Sequence, residues 1–135
     1  LTRLEGCLAA GEAAGLYSLV CLHHQPVPVG CEWLDQQMVS DARSFFDIVG
    51  RFPMVRGVLW GHVHQELDQS CGELRMLCSP STCVQFRPQQ VDFALDTRPP
   101  GFRWLELGPD GSIETGVSRA EAHIFHVDRN ANGYL

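Results

Sequence analysis

The sequence lacks lysine, basic runs and long hydrophobic stretches. All ten basic residues are arginine, and 16 acidic residues give the chain a net charge of −6. Because binding to nucleic-acid polymers depends mainly on phosphate neutralisation, this acidic chain is a poor candidate for such a partner. The longest uncharged apolar stretch, residues 16–22, has seven residues, whereas a membrane-spanning helix needs about 20. The sequence therefore predicts no membrane segment.

The beginning of the sequence also lacks an initiator methionine and the basic-then-apolar order of a secretory signal. We therefore expect a cytoplasmic protein, and a chain that begins inside a longer gene product.

Paired cysteine motifs are absent as well. None of the six cysteines has the CxxC spacing of a structural zinc site. With 135 residues, of which 44% are hydrophobic, the chain is long enough for one domain with its own core and needs no disulfide framework. We expect six reduced thiols, most of them buried.

The first half of the sequence predicts alternating helices and strands. Apolar residues at helical spacing indicate a helix over residues 2–14, ended by Gly15. An apolar run predicts a strand over residues 17–22, and a loop with two prolines follows it. A second helix is expected over residues 32–49. A second strand, over residues 57–60, leads directly into a Gly-His-Val-His sequence.

The second half predicts a run of strands. A Pro-Asp-Gly sequence supplies hairpin-turn chemistry between two of them. A last strand is expected over residues 122–127, in which His123 and His126 are structural or exposed. The fold class is therefore α/β, a single domain with a mixed sheet and antiparallel C-terminal strands. The other strands are expected at residues 73–77, 82–86, 102–107 and 112–118.

Four histidines follow the ends of two predicted strands. His23 and His24 come directly after the first strand, and His62 and His64 come after the second. Ligands of open α/β sheets bind at the carboxyl ends of the strands, and neutral imidazole is a common metal ligand. Gly61 is expected to let the backbone bend around a bound ion. The four side chains together predict a metal site.

At these residues the sequence resembles a known family. The sequences LHHQP (residues 22–26) and GHVH (residues 61–64) resemble the last two metal motifs of the calcineurin-like metallophosphoesterases. The later stretch resembles, more closely, the bacterial cyclic-AMP phosphodiesterase branch. It contains SPSTC, QF, DFALD, PGFRWLEL, DG and GY in this order, between residues 79 and 134.

The resemblance implies a four-layer α/β/β/α sandwich with a centre of two divalent metal ions, such as iron, manganese or zinc. Carried over by position, His23 is a ligand of one metal, shared with His62, and His64 is a ligand of the other. His24 lies beside the site, where it orients a ligand or faces the substrate. Gln25 stands where proline is more usual, which is expected to affect loop stiffness more than ligation.

The first motifs of that family, which supply the remaining ligands and a bridging aspartate, are absent from this sequence. Two metal ions need a bridging carboxylate to hold them and a bridging water to attack the substrate. The resemblance therefore implies that residues 1–135 are the C-terminal half of a metallophosphoesterase domain, with negligible activity alone. The aspartates on the predicted helix or after the histidines do not match the missing motifs: Asp35, Asp41, Asp47 and Asp68.

Three hypotheses follow. In the first, the full-length protein hydrolyses a phosphodiester, with cyclic AMP as the expected small-molecule substrate. In the second, the chain is a non-catalytic folding or oligomerisation module that forms a homo-oligomer, for instance by strand exchange. In the third, the histidines hold a single structural metal ion.

Overall fold

The computed structural model describes residues 1–120 and residue 128. The predicted strand over residues 122–127, with His123 and His126, lies outside the described residues. Among the described helices, none is long and apolar enough to cross a membrane. The elements, in chain order, are α1 (Thr2–Ala13), β1 (Ser18–Leu22), α2 (Glu32–Asp35), α3 (Ala42–Val49), β2 (Val55–Trp60), β3 (Leu67–Cys71), β4 (Leu74–Cys78), β5 (Gly101–Leu107) and β6 (Ile113–Arg119).

The strands form a four-stranded sheet and a separate hairpin. The sheet has the order β1-β2-β4-β3. Strand β2 pairs in parallel with both β1 and β4, while β3 pairs antiparallel with β4. Within residues 1–120, strands β5 and β6 pair only with each other, in antiparallel register. The predicted α/β class, with a mixed sheet and antiparallel C-terminal strands, is confirmed.

The helices and one side of β2 contribute to the main core. Helix α1 is followed by Gly15, which has a left-handed φ of +69°. A right-handed helix cannot continue through this conformation, so the predicted helix end is confirmed. Helix α3 buries Phe45 and Ile48 in one hydrophobic cluster with Val58 and Trp60 of β2. Because successive residues of a strand face opposite sides of the sheet, Val58 and Trp60 lie on one face of β2 and the neighbouring glycine lies on the other.

That neighbour, Gly57, lies where the β5–β6 hairpin approaches the sheet. A Cβ atom there would lie 3.0 Å from Cδ1 of Ile113 in β6 and 2.9 Å from Cδ1 of Leu19 in β1. Arg103 of β5 reaches back to the sheet, because its guanidinium donates to the carbonyl oxygens of Cys78 and Leu67, each at 3.0 Å. The hairpin is thus fixed against the sheet by close packing and by hydrogen bonds from the buried Arg103 side chain.

The predicted helix over residues 32–49 is wrong as one element. It is two helices, α2 and α3, separated by residues 36–41. The chain leaves the helical path because the amide of Val39 donates to the carbonyl of Gln25, at 3.1 Å, instead of to a carbonyl one turn back. Asp41 then stands at the N-cap position of α3, a residue type typical of helix starts.

Two further strand predictions need correction. Residues 82–86 are not a strand, because the side chain of Gln85 bonds both backbone groups of Ser81, at 2.7 and 3.1 Å. Only Phe86 keeps an isolated bridge, to Leu95. Strand β3, in contrast, was not predicted. Its sequence LDQSC is almost entirely exposed and has no hydrophobic alternation.

The cysteines are less buried than predicted. All six are free thiols, as expected, but only Cys31 and Cys78 are buried. The prediction that most of them lie in the core is therefore wrong. They are not needed to fill the core, because leucine, valine and aromatic residues form most of the buried cluster. The four exposed thiols are Cys7, Cys21, Cys71 and Cys83.

Candidate metal centre

The histidines lie in the two loops that follow β1 and β2. Because these strands are adjacent and parallel, both loops leave the same edge of the sheet. The amide of Gly61 donates to the carbonyl of His23 at 3.2 Å, which joins the two loops directly. Strand pairing thus brings together residues that are far apart in sequence, as the sequence predicted.

Three of the four imidazole rings form a tight cluster. The ring centroids of His23 and His24 lie 5.0 Å apart, and that of His62 lies 5.2 Å from His23 and 4.1 Å from His24. One ring nitrogen from each of the three lies within 4.8 Å of the other two. His23 and His24 are exposed, and His62 is partly buried. Three nitrogen donors at this spacing suit one metal ion.

His64 lies in the same cavity but outside the close trio. The cavity has a volume of about 400 Å³ and is lined by the four histidines together with Trp33, Gln37 and Phe86. The ring of His64 stacks on Phe86, with centroids 4.1 Å apart and planes only 9° apart. Its Nδ1 atom is buried and has no hydrogen-bond partner among the described residues. This histidine therefore has an unused nitrogen beside the cluster.

The backbone of the second loop is unusual at the histidines. His62 has a φ of 60° and His64 a φ of 49°, both in the left-handed region. Such conformations cost about 1–3 kcal/mol each and are concentrated at functional sites. The prediction that Gly61 supplies the bend is wrong, because this glycine has no positive φ and a Cβ atom there would meet nothing within 4 Å.

Burial and crowding keep the two histidines of this loop neutral. Burial, together with the neighbouring His24, His23 and His64, lowers the pKa of His62 to about 4. Burial also lowers the pKa of His64. A hydrogen bond with the backbone of Val84 raises this pKa, but by less than burial lowers it. Since only a neutral imidazole can bind a metal ion, both side chains are in the required protonation state near pH 7.

Three residues of this cavity were missed by sequence reasoning: Phe86, described above, and two residues of the segment after the first loop. The backbone carbonyl of Gln37 bonds Nδ1 of His24 at 2.9 Å, and its side-chain Oε1 bonds Nε2 of His62 at 3.1 Å. Trp33 contributes a buried indole N–H that has no partner within the described part of the chain. In the sequence both residues looked like members of one long helix, and only the Ser40-Asp41 pair signalled the break.

The loop after β1 is held in place by hydrogen bonds of two side chains, one in the loop itself and one in α2. Gln25 is fully buried, and its Nε2 donates to the carbonyl of Leu34 at 2.7 Å. It therefore anchors the loop to α2, beyond the predicted effect on stiffness. Asp35 accepts hydrogen bonds from the amides of Val29 and Gly30, at 2.8 and 3.1 Å. This carboxylate holds the loop and does not reach the histidines.

No carboxylate belongs to the trio of histidines among the residues that the structure describes. Asp41 and Asp47 lie exposed at the start and on the surface of α3, and Asp68 of β3 pairs with Arg75 at 2.6 Å. The neutral imidazoles, and the orphaned Nδ1 of His64, fit the histidine part of a metal centre. The bridging carboxylate of a two-metal site is not in this part of the chain.

Comparisons with known proteins extend this result. The chain is 47% identical over 126 residues to the 3',5'-cyclic adenosine monophosphate phosphodiesterase CpdA of Pseudomonas aeruginosa, a match that covers 93% of this chain and 46% of that protein. It is 48% identical to CpdA of Vibrio vulnificus over 87% of this chain and 43% of the relative. It is 44% identical to CpdA of Escherichia coli K12, a match that covers 99% of this chain and 48% of that relative. No protein-family model matches the chain.

The chain is thus an α/β protein with a candidate metal centre, formed by histidines at the carboxyl ends of its parallel strands. The relatives confirm the resemblance predicted from the motifs: over most of its length, the chain is similar to bacterial proteins named as cyclic-AMP phosphodiesterases. The chain spans about half the length of the curated relatives that it matches.

Proposed function

We propose that the whole protein is a metal-dependent phosphodiesterase of 3',5'-cyclic nucleotides, with cyclic AMP as its substrate. In this proposal, residues 1–135 are the C-terminal half of a four-layer α/β/β/α metallophosphoesterase domain. The observation that carries the proposal is the convergence of His23, His24 and His62 at the carboxyl edge of β1 and β2. The names of the relatives support the choice of substrate.

The proposal gives each histidine a role. His23 and His62 hold one divalent ion, His64 contributes to a second, and His24 faces the substrate or orients a ligand. When bound, the ions supply Lewis acidity toward the phosphoryl oxygens and make water acidic enough to attack phosphorus at neutral pH. The choice among iron, manganese and zinc is left open, because imidazole accepts all three.

A chimera tests this function. In it, the present chain replaces the matched portion of the Pseudomonas aeruginosa relative, and cyclic-AMP hydrolysis is measured with added manganese or iron. We expect activity in the chimera and none in the 135-residue chain alone. The His62→Ala substitution should reduce kcat/KM by about 10²–10³-fold, because a lost ligand removes several kcal/mol of charge stabilisation.

The control is Gln36→Ala, an exposed position directly after α2. This variant should retain the activity of the chimera. A folded, metal-loaded chimera that hydrolyses other phosphodiesters but not cyclic AMP would refute the substrate. Turnover of cyclic AMP by the isolated chain would refute the division of the site between two halves.

The three close imidazoles also support a second candidate, in which this chain holds one structural metal ion. The 4.8 Å spacing of the ring nitrogens favours it. In a zinc titration followed by calorimetry, a structural ion should bind once per chain, and His62→Ala should lose both the ion and part of the circular-dichroism signal. Loss of the ion with an unchanged spectrum would instead point to a vestigial active site. Unfolding of the chain when the ion is removed with a chelator would make that ion structural, and would argue against the catalytic centre.

The third proposal concerns self-association. In the described part of the chain, strand β1 lies at the edge of the sheet, and the exposed Leu16 and Tyr17 precede it. Unpaired edges of this kind favour pairing with a second chain. Light scattering of the 135-residue chain should detect a homo-oligomer, whereas a monomer at all concentrations would exclude it. The cytoplasmic location stays a prediction.

A further inference from the structure

We propose that Gln37 is a positioning residue of the histidine cluster. It determines which ring nitrogen His62 offers to a metal ion and which ring nitrogen His24 presents to the same centre. The inference rests on the proposed function, because it concerns the same centre. Gln37 lies between α2 and α3, next to another glutamine, and no sequence motif marks it.

The evidence is that one residue bonds two histidines from two different loops. The backbone carbonyl oxygen of Gln37 lies 2.9 Å from Nδ1 of His24, and its side-chain Oε1 lies 3.1 Å from Nε2 of His62. The residue itself is held in place, because its amide donates to the carbonyl of Leu34 at 2.9 Å. Its position is therefore determined by the end of α2, independently of the histidines.

Hydrogen-bond chemistry then determines the tautomer of His24. A backbone carbonyl oxygen can only accept a hydrogen bond, so Nδ1 of His24 must carry the proton. In a neutral imidazole the other nitrogen then keeps its lone pair. His24 consequently offers Nε2 to a ligand.

The tautomer of His62 follows from the orientation of the Gln37 amide. The Nε2 group of Gln37 donates to the carbonyl oxygen of Trp33 at 3.2 Å, and this acceptor fixes which end of the amide is oxygen. Oε1 therefore faces His62 and accepts from its Nε2–H, so Nδ1 of His62 keeps the lone pair. Hydrogen bonds of this kind orient metal ligands and make them more basic.

Two substitutions separate this role from a structural one. Gln37→Met keeps the length of the side chain and removes both of its hydrogen bonds. Gln37→Glu keeps an oxygen acceptor for His62 but removes the donor to Trp33. The control is Gln36→Met, at an exposed neighbouring position. Zinc affinity of the 135-residue chain is measured for all of them by competition with a chromophoric chelator.

We expect Gln37→Met to weaken zinc binding by about 10–100-fold, as is typical when a hydrogen bond to a metal ligand is lost. Gln37→Glu should restore most of the affinity, and Gln36→Met should bind like the wild type. Equal losses in the methionine and glutamate variants would overturn the proposal, because Gln37 would then act through Trp33 alone.

The tautomers of the metal-free chain give a second readout that does not depend on hydrolysis or on zinc. Nitrogen-15 NMR, recorded well above the ordinary histidine pKa of about 6.5, should show Nδ1–H for His24 and Nε2–H for His62. In Gln37→Met, His24 should keep its tautomer while His62 becomes a mixture. His62 protonated at Nδ1 in the wild type would refute the role of Gln37. A wild-type chain with the expected tautomers but no zinc affinity would contradict the proposed metal centre instead.

Discussion

Substitution of Arg103 by methionine should strongly destabilise the chain. The side chain of Arg103 is only 3% exposed, and it connects the β5–β6 hairpin to the end of the four-stranded sheet. Its guanidinium donates to the carbonyls of Cys78 and Leu67 at 3.0 Å each, and to Oγ1 of Thr115 at 3.1 Å. Methionine keeps much of the apolar stem but supplies none of these hydrogen bonds.

The magnitude follows from what the substitution leaves behind. The carbonyls of the buried Cys78 and the half-buried Leu67 each lose a charged donor, which costs about 1–3 kcal/mol per group. The cost of burying a guanidinium also disappears, which offsets part of this loss. Asp68, 3.6 Å from Arg103, keeps its bond to Arg75 and is 36% exposed, so it adds little. The expected loss in the free energy of unfolding is about 3 kcal/mol.

Urea unfolding followed by circular dichroism measures this loss. With an m value of about 2 kcal/mol/M, the midpoint should fall by about 1.5 M. Arg51→Met is the matched control, since Arg51 is 54% exposed and pairs with an exposed Glu5. Such surface pairs contribute about 0–1 kcal/mol. Equal midpoints for the two variants would show that Arg103 does not hold the hairpin against the sheet.

Three further predictions concern the core, the thiols and the acid sensitivity of the chain. Gly57→Ala should destabilise by about 1–2 kcal/mol, since its Cβ would overpack the hairpin contact. Gly6→Ala, in open space on α1, should stabilise by about 0.5–1 kcal/mol. A thiol reagent used at about pH 8, near the ordinary cysteine pKa, should modify four cysteines in the native chain and six in urea. The two protected thiols are Cys31, which is buried, and Cys78, whose pKa burial raises to about 12. Modification of all six in the native chain would contradict this burial. The hydrogen bond from Arg75 holds the pKa of Asp68 below its ordinary 3.8, so its stabilisation is present above that pH and is lost as the pH falls below it. The melting temperature of Asp68→Asn should therefore fall less between pH 5 and pH 2 than that of the wild type.

The elements that the sequence predicted correctly depend on local patterns. Helix α1 and its end at Gly15, and the strands β1 and β2, follow from hydrophobic spacing and from one left-handed glycine. The errors arise where another group competes for the backbone. The carbonyl of Gln25 takes the amide of Val39, which would continue α2, and this contact is not visible in a window of neighbouring residues. The side chain of Gln85 bonds the backbone of Ser81, four residues earlier, which closes a loop where the apolar pattern predicted an extended strand.

At the candidate site, too, the sequence could predict some features and not others. The sequence could predict that His23 and His62 meet, because each follows a strand and parallel strands end at one edge. It could not predict that Gln37 bonds two of the histidines, because this depends on where α2 ends. Nor could it predict that Phe86 stacks on His64, which requires the loop over residues 79–86 to fold back over the site.

The histidine cluster is not explained by packing alone. Rings at 4.1–5.2 Å repel each other when protonated, and no carboxylate joins the trio in the described part of the chain. A cluster that contributed only to stability would avoid both this repulsion and the left-handed φ angles of His62 and His64. Neutral nitrogens with lone pairs at one edge of the sheet are instead compatible with a cation that binds all of them. In the proposed two-metal centre, the bridging carboxylate has to come from outside the residues described by the structure.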